Sequence, residues 1–277
     1  MIFIGYSVIG HYLVIGAWLL VIGENMDDIE GRILSNNTIA PGYCLLRIRL
    51  SRSMGVVMPG QFVMVKIPDQ DVFLRRPFSI YDYRKDILTI MYKVVGKGTE
   101  RLSRATKGAS VLTLGPLGRW FSVNGSAIHI VVAGGIGFAG LHALTKTLHG
   151  KASIFFGCSS KDEIALLKGA MRPHPFIATL DGSYGFKGNV IQLFKKHLSG
   201  LKGKNAEIFT CGPDNMVKSL KGLIEPYRIP CQVLLEERMA CGMGLCFGCV
   251  RKTTDAQEPY KRVCKEGPVF DLWETSL

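Results

Sequence analysis

Four cysteines near the C-terminus, Cys241, Cys246, Cys249 and Cys264, stand in the spacing C-x4-C-x2-C-x14-C. Thiolates are soft ligands, and four of them complete either a two-iron cluster or a structural zinc site. A C-x4-C-x2-C run followed by a distant fourth cysteine is the plant-type [2Fe-2S] pattern. Zinc ribbons bring two close pairs instead, and Cys264 has no near partner in the chain. Gly242, Gly244 and Gly248 thread the run, so the backbone can turn through positive φ and aim amide N–H groups at the sulfurs. The remaining cysteines, Cys44, Cys158, Cys211 and Cys231, are scattered, and eight in 277 residues is not the density of a disulfide framework. The stretch reads as a redox cradle in a protein of a reducing compartment.

Other stretches carry groups suited to nucleotides. RRPFSIYDY (75–83) joins two arginines to a proline, an aromatic and a serine at a strand edge. Arg76 can pair with a pyrophosphate and Ser79 can hydrogen-bond a flavin ring or ribityl oxygen, with Pro77 fixing the backbone between them. GKGT (96–99) precedes a helical start, where backbone amides attract phosphate. Each of these two alone is more often a plain turn. GGIGFAG (134–140) ends an apolar strand and opens a helix, although it lacks the G-x-G-x-x-G spacing. CGPDNMV (211–217) ends another strand, where open α/β sheets place ligands. Taken singly, Cys211 reads as a small buried apolar residue.

Two kinds of scaffold must position these groups. YCLLRIRL (43–50), QFVMVKI (61–67) and ILTIMYKVV (87–95) are apolar, turn-bounded strands with no convincing helix between them, which predicts an antiparallel β-barrel. From residue 127 apolar strands alternate with helical stretches, which predicts an α/β domain with a parallel sheet. The expected division is an antiparallel barrel over 26–124, an α/β domain over 125–225 and a small cysteine module over 226–277. Ahead of them 1–25 forms an apolar extension. Residues 2–23 carry no formal charge and could span a bilayer, yet acidic Glu24, Asp27, Asp28 and Glu30 flank them. No basic residue precedes the run as in a signal peptide. It is read as a membrane tether or as a dispensable extension ahead of Met26, in a cytoplasmic protein. Net charge is +12, but no Lys/Arg block interleaved with aromatics points to nucleic acid.

In the order RPFS, GKGT, GGIG, CGPDNM, these signals resemble the ferredoxin–NAD(P)+ reductase superfamily. LEERMACGMGLCFGCV, followed by YKRVCKEGPVF (260–270), narrows the resemblance to the electron-transfer subunits of NAD-dependent class 1B dihydroorotate dehydrogenase. The resemblance implies FAD held by Arg76, Pro77, Phe78, Ser79, Met91, Tyr92, Lys93, Gly98 and Thr99. It implies NAD facing Gly134, Gly135, Gly137, Cys211 and Gly212, and a [2Fe-2S] cluster on Cys241, Cys246, Cys249 and Cys264. It further implies a separate FMN-containing catalytic subunit that oxidises dihydroorotate to orotate in pyrimidine synthesis, assembled two of each in a heterotetramer. No residue of this chain would then be catalytic for dihydroorotate. The division is chemically sensible: pyridine nucleotides carry hydrides, clusters carry single electrons, and a flavin exchanges both.

Two features depart from that pattern. Gly140 stands where the superfamily often has proline, and the apolar leader is foreign to it. For the choice between NAD and NADP, Lys161 would attract a 2′-phosphate while Asp162 would repel it, and the resemblance implies NAD. A diaphorase subunit feeding ferredoxin, a hydrogenase or sulfur reduction is the alternative. The RVCKEGPVF tail and the lack of a second cysteine cluster speak against it. A zinc-stabilised, membrane-tethered binding module would leave the flavin and nicotinamide signals unexplained.

Overall fold

The computed structural model describes residues 27–67, 73–170, 174–201 and 203–277. It also describes the backbone of three short antiparallel strands, β1 (Ser7–Ile9), β2 (Tyr12–Ile15) and β3 (Trp18–Val21). The rest of the apolar leader expected over 1–25 lies outside the described residues. Among the described residues no helix is long and apolar enough to cross a membrane.

Seven strands then form one sheet: β4 (Ile29–Ala40), β5 (Tyr43–Leu50), β6 (Phe62–Lys66), β7 (Arg76–Ser79), β8 (Asp82–Arg84), β9 (Ile87–Lys93) and β10 (Ser110–Leu117). Their order is β7-β6-β10-β4-β5-β9-β8, and every pairing is antiparallel. In β5, Cys44, Leu46, Ile48 and Leu50 are buried while Arg47 and Arg49 face solvent. That two-residue period turns one face of the sheet onto a core with Ile33, Val63, Leu88, Ile90 and Val111. A short helix, α1 (Lys97–Ser103), follows β9.

The second half is built on β11 (Ile128–Gly134), β12 (Ala152–Cys158), β13 (Phe176–Thr179), β14 (Phe186–Lys187), β15 (Ala206–Cys211) and β16 (Cys231–Leu234), all parallel. Between strands run α2 (Phe138–Thr147), α3 (Val190–Leu198) and α4 (Asp214–Ile224). Successive residues of β11 serve opposite faces. Ile130 and Val132 pack with Phe194 of α3 and Leu220 of α4, whereas Val131 and Ala133 pack with Phe138 and Leu141 of α2. A strand covered on both sides must be apolar throughout, which is why IHIVVAG carries no alternation. The α2 face also takes up Ala40, Tyr43, Tyr81 and Met91 of the first sheet, so the two halves share a core.

The cysteine segment adds a hairpin of β17 (Val250–Lys252) and β18 (Tyr260–Arg262), then β19 (Val269–Asp271). β19 pairs antiparallel with β16, placing Leu234 against Val269 and Val233 against Phe270. The sheet order is therefore β14-β13-β12-β11-β15-β16-β19. The expected division at 225/226 falls ahead of β16, so 226–277 shares a sheet with 125–225.

At the junction of the halves, the rings of Tyr81 and His142 stack at 3.6 Å with an interplanar angle of 8°. His142 Nδ1 lies 2.9 Å from the Tyr81 carbonyl, which places the proton on Nδ1, while buried Nε2 has no hydrogen-bond partner among the described residues. Burial lowers the His142 pKa to about 4, against the opposing pull of the Tyr81 carbonyl. The unfolded imidazole titrates near its ordinary value, about 6.5. Stability is therefore complete above that pH and falls as pH drops through the window toward 4. The expected slope is about 1.4 kcal/mol per pH unit, roughly 3 kcal/mol in all. Denaturant unfolding at pH near 7.5 and near 5 measures it, with His142→Phe as the variant lacking this proton uptake. Equal losses in both proteins would remove His142 as the cause.

Candidate functional site

Strand order around β11 determines where ligands can sit. From β11 the chain steps to β12, β13 and β14 on one side, then returns to β15 on the other. The reversal leaves a crevice at the carboxyl ends of β11 and β15, which is where open α/β sheets bind ligands. These are the ends that carry GGIG and CGPD. The two loops touch: a Cβ at Gly137 would lie 2.5 Å from the Cys211 carbonyl oxygen and 2.8 Å from the Gly212 amide nitrogen. Only glycine allows that approach, backbone against backbone. A cleft of about 520 Å³ opens here, lined by Gly134, Gly135, Gly137 and Gly212 together with Ser159, Asn189 and Pro213. Cys211 itself does not line it. Its thiol is buried behind the loop, and desolvation holds it well above the usual thiol range.

A second cleft, about 660 Å³, lies between the first sheet and the end of β16. All nine residues expected to hold a flavin line it: Arg76, Pro77, Phe78, Ser79, Met91, Tyr92, Lys93, Gly98 and Thr99. The neighbouring arginines divide their tasks. Arg75 forms a two-pronged bond to Asp28 at 2.5 and 2.7 Å, whereas the Arg76 guanidinium lies over Gly98 and donates to the Leu74 carbonyl. Arg76 and the turn before α1 thus come from distant stretches to one spot, as a pyrophosphate needs. The Thr99 hydroxyl shapes that turn by accepting from the amides of Val95 at 2.9 Å and Gly96 at 3.2 Å. Tyr92 is buried, and its hydroxyl donates to Asn36 at 3.1 Å.

The two clefts are neighbours. Lys93, Ile136, Leu235 and Glu236 line both, so ligands in each would meet across these four side chains. Glu236 is exposed where it opens onto the clefts, and desolvation by the walls around it raises its carboxyl above the ordinary range. At the rim, the Tyr43 hydroxyl donates to Glu163 Oε2 at 3.1 Å, and Lys93 Nζ stands 5.2 Å from the Tyr43 ring centre. Tyr43, Glu163, Leu235 and Glu236 were not among the expected site residues. The LEER stretch beside the cysteines held the only local hint; the rest are brought together by closure of one half on the other.

The four cysteines come together in two pairs. Side chains of Cys241 and Cys246 contact each other, as do those of Cys249 and Cys264. Among the described residues no three His, Cys, Asp or Glu side chains gather tightly enough to hold a single metal ion. Two pairs of thiolates, one for each iron, fit the four-cysteine ligation of a two-iron cluster. Backbone amides point at the sulfurs. Those of Met243 and Cys246 donate to Cys241 Sγ at 3.4 Å each, and Gly244 donates to Cys264 Sγ at 3.1 Å. Gly248 and Cys264 donate to Cys246 and Cys249, each at 3.4 Å. Burial opposes ionisation of Cys241, but its amide donors outweigh it and bring the thiol below its usual range. For Cys264 desolvation wins and, with Cys249 beside it, pushes the thiol up.

Gly242 and Gly244 take positive φ as expected, at 72° and 79°; Gly248 does not, and Phe247 does instead, at 56°. Arg262 packs against this loop. Its guanidinium sits 4.8 Å from the exposed Phe247 ring centre, donates to the Gly244 carbonyl at 2.7 Å and pairs with Glu266. The loop is thereby tied to β18 from both ends.

Comparison with known proteins bears on the fold and the cysteine segment. Residues 236–276 match the family model described as the iron–sulfur cluster binding domain of dihydroorotate dehydrogenase B. Among solved structures, one reported for NADH-dependent reduced ferredoxin-NADP oxidoreductase superposes with a TM-score of 0.79 at 25% identity, covering 88% of each chain. A ferredoxin NADP+ reductase from Neisseria gonorrhoeae with bound FAD and NADP gives 0.61 at 16% identity, over 71% of this chain and 90% of that one. Fold and site together define an iron–sulfur flavoprotein oxidoreductase of the ferredoxin-reductase type.

Curated relatives narrow the class. The dihydroorotate dehydrogenase B (NAD(+)) electron transfer subunit of Desulforamulus reducens is 38% identical over 257 residues, covering 88% of this chain and 97% of the relative. Its counterpart in Enterococcus faecalis is 34% identical over 258 residues, with the same shares. The chain belongs to the family of dihydroorotate dehydrogenase B electron transfer subunits.

Proposed function

We propose that this chain links oxidation of dihydroorotate, carried out on a separate FMN-containing subunit, to reduction of NAD+, with FAD and a [2Fe-2S] cluster as its own cofactors. The observation that carries this reading is the shared wall of Lys93, Ile136, Leu235 and Glu236 between two nucleotide-sized clefts, with the paired-cysteine cradle beginning five residues after Glu236. When bound, FAD supplies hydride exchange with a pyridine nucleotide and one-electron exchange with a cluster. Arg76, with the turn at Gly98 and Thr99, would hold the flavin pyrophosphate. Pro77, Phe78, Ser79 and the β9 residues Met91, Tyr92 and Lys93 would wall the remainder. Gly134, Gly135, Gly137 and Gly212 would let NAD approach the backbone, while Cys211 supports the loop from behind. Cys241, Cys246, Cys249 and Cys264 would ligate the irons, their amide donors stabilising negative charge on sulfur.

The working assembly in this reading is two copies of each subunit, in the cytoplasm and in pyrimidine synthesis. The test is an anaerobic pull-down of the tagged chain from its host, assayed for dihydroorotate-dependent NAD+ reduction. Activity accompanied by an FMN-containing second subunit is expected. An eluate that oxidises NADH but ignores dihydroorotate would move the chain to the diaphorase alternative.

A further inference from the structure

The strand that leaves the cysteine loop carries a cation that none of the cofactor motifs uses. Arg251 lies in β17, two residues after Cys249, so their Cα atoms are at most about 7 Å apart. Its guanidinium donates through Nε to Glu237, and through Nη2 to Asp214 Oδ1 at 3.2 Å and to the Glu236 carbonyl at 3.5 Å. Glu237 lines the flavin cleft and Asp214 lines the nucleotide cleft. One side chain next to the cradle therefore reaches a wall of each cleft.

The charges around it do not balance. On the neighbouring strand β18, Arg262 pairs with Glu266, one cation to one anion. Arg251 faces two carboxylates, Asp214 and Glu237, and the three groups together carry one net negative charge. The Arg251 side chain is 20% exposed and that of Glu237 28%, so water and salt screen this group only in part. Without the guanidinium, both carboxylates would stand uncompensated beside the strand that leaves Cys249. A two-iron cluster on four thiolates gains negative charge on reduction, so its potential follows the net charge around it. An arginine keeps its charge at any working pH, and its fork can serve two carboxylates at once.

We propose that Arg251 sets the reduction potential of the iron–sulfur cluster, its charge holding that potential up against Glu237 and Asp214. The assignment rests on the reading of the four cysteines as iron ligands. Redox titration of the cluster-bearing, FAD-loaded chain, followed by the paramagnetic signal of the reduced cluster, tests it without turnover or the partner subunit. Arg251→Gln keeps an amide donor for the carboxylates and removes the charge. Its reduction equilibrium should fall about 10-fold, which is about 59 mV for one electron. Arg251→Lys keeps the charge and should stay within about 3-fold of the parent. Glu237→Gln removes one opposing charge and should move the potential upward.

A potential that is unchanged or raised in Arg251→Gln, at the parent's iron content, overturns the assignment. An equal fall in Arg251→Lys overturns it too, because the fork and not the charge would then be the cause. If Arg251→Gln does not retain iron, the other two variants decide. A parent-like potential in Arg251→Lys with a raised one in Glu237→Gln supports the assignment, and any other pair of results overturns it. A parent that holds no iron fails the reading of the cradle and the assignment with it. A parent with its cluster beside an unmoved Arg251→Gln keeps that reading and removes Arg251 alone.

Discussion

Replacing Cys249 with serine removes the iron–sulfur chromophore while leaving reduction of the flavin by NADH intact. Cys249 is buried, its sulfur accepts from the Cys264 amide, and its side chain is half of one cysteine pair. A hydroxyl there is a harder and far less acidic ligand than a thiolate, so one iron loses half its protein ligation. Loss of an outer partner to a metal ligand already costs roughly 10–100-fold in affinity, and loss of a ligand itself costs more. The brown colour and the low-temperature electron paramagnetic signal of the reduced protein should vanish. Dihydroorotate-linked NAD+ reduction should fall at least about 100-fold. Ferricyanide reduction by NADH, which needs only the two clefts, should persist. Cys44→Ala is the control, since Cys44 is buried in the first sheet's core away from the cradle. A variant that keeps the signal at full iron content would mean that Cys249 is not a ligand.

Replacing Arg76 with alanine should release FAD. Charge-assisted bonds to phosphate contribute about 1.5–3 kcal/mol, so the dissociation constant should rise on the order of 100-fold. Arg76→Lys should recover only part of the loss, because an ammonium offers one point of charge where the guanidinium offers a fork. Asp28→Ala frees Arg75 from its carboxylate at the strand's outer end and should leave FAD affinity close to the parent's. Titration of the apoprotein with FAD, followed by flavin fluorescence, separates these outcomes. Equal effects of the two changes would assign the pyrophosphate to the arginine pair as a whole. No effect from Arg76→Ala would remove this residue from the flavin site.

The parts legible in the sequence were those with local causes. Cysteine spacing is a covalent constraint, and the unbroken apolar run before Gly134 reflects burial on two faces of one strand. RPFS and GKGT could be read as anion turns, but that Arg76 reaches Gly98 depends on β7 and β9 lying close in a curled sheet. Strands of two to four residues, such as β13, β14 and β16, were missed because so few residues set no period. Tyr43, Glu163 and Glu236 were missed for a different reason: each acquires its role from a neighbour more than 50 positions away, or from a cleft that exists only after the halves meet. The positive φ at Phe247, a residue type that rarely takes it, is likewise foreseen by no turn rule.

The antiparallel pairing of β19 with β16 has a kinetic meaning. β16 runs directly into the residues that wall both clefts, and β19 follows directly on the last cysteine turn. On the opposite side, Met64 of β6 packs against Gly242 of the cysteine loop. A redox module hung on a flexible tether must swing between donor and acceptor, and its turnover then slows with solvent viscosity. Here the pieces are clamped from two sides, so the electron's path inside this chain has a fixed length, and passage along it is timed by distance and driving force, with no hinge to wait for.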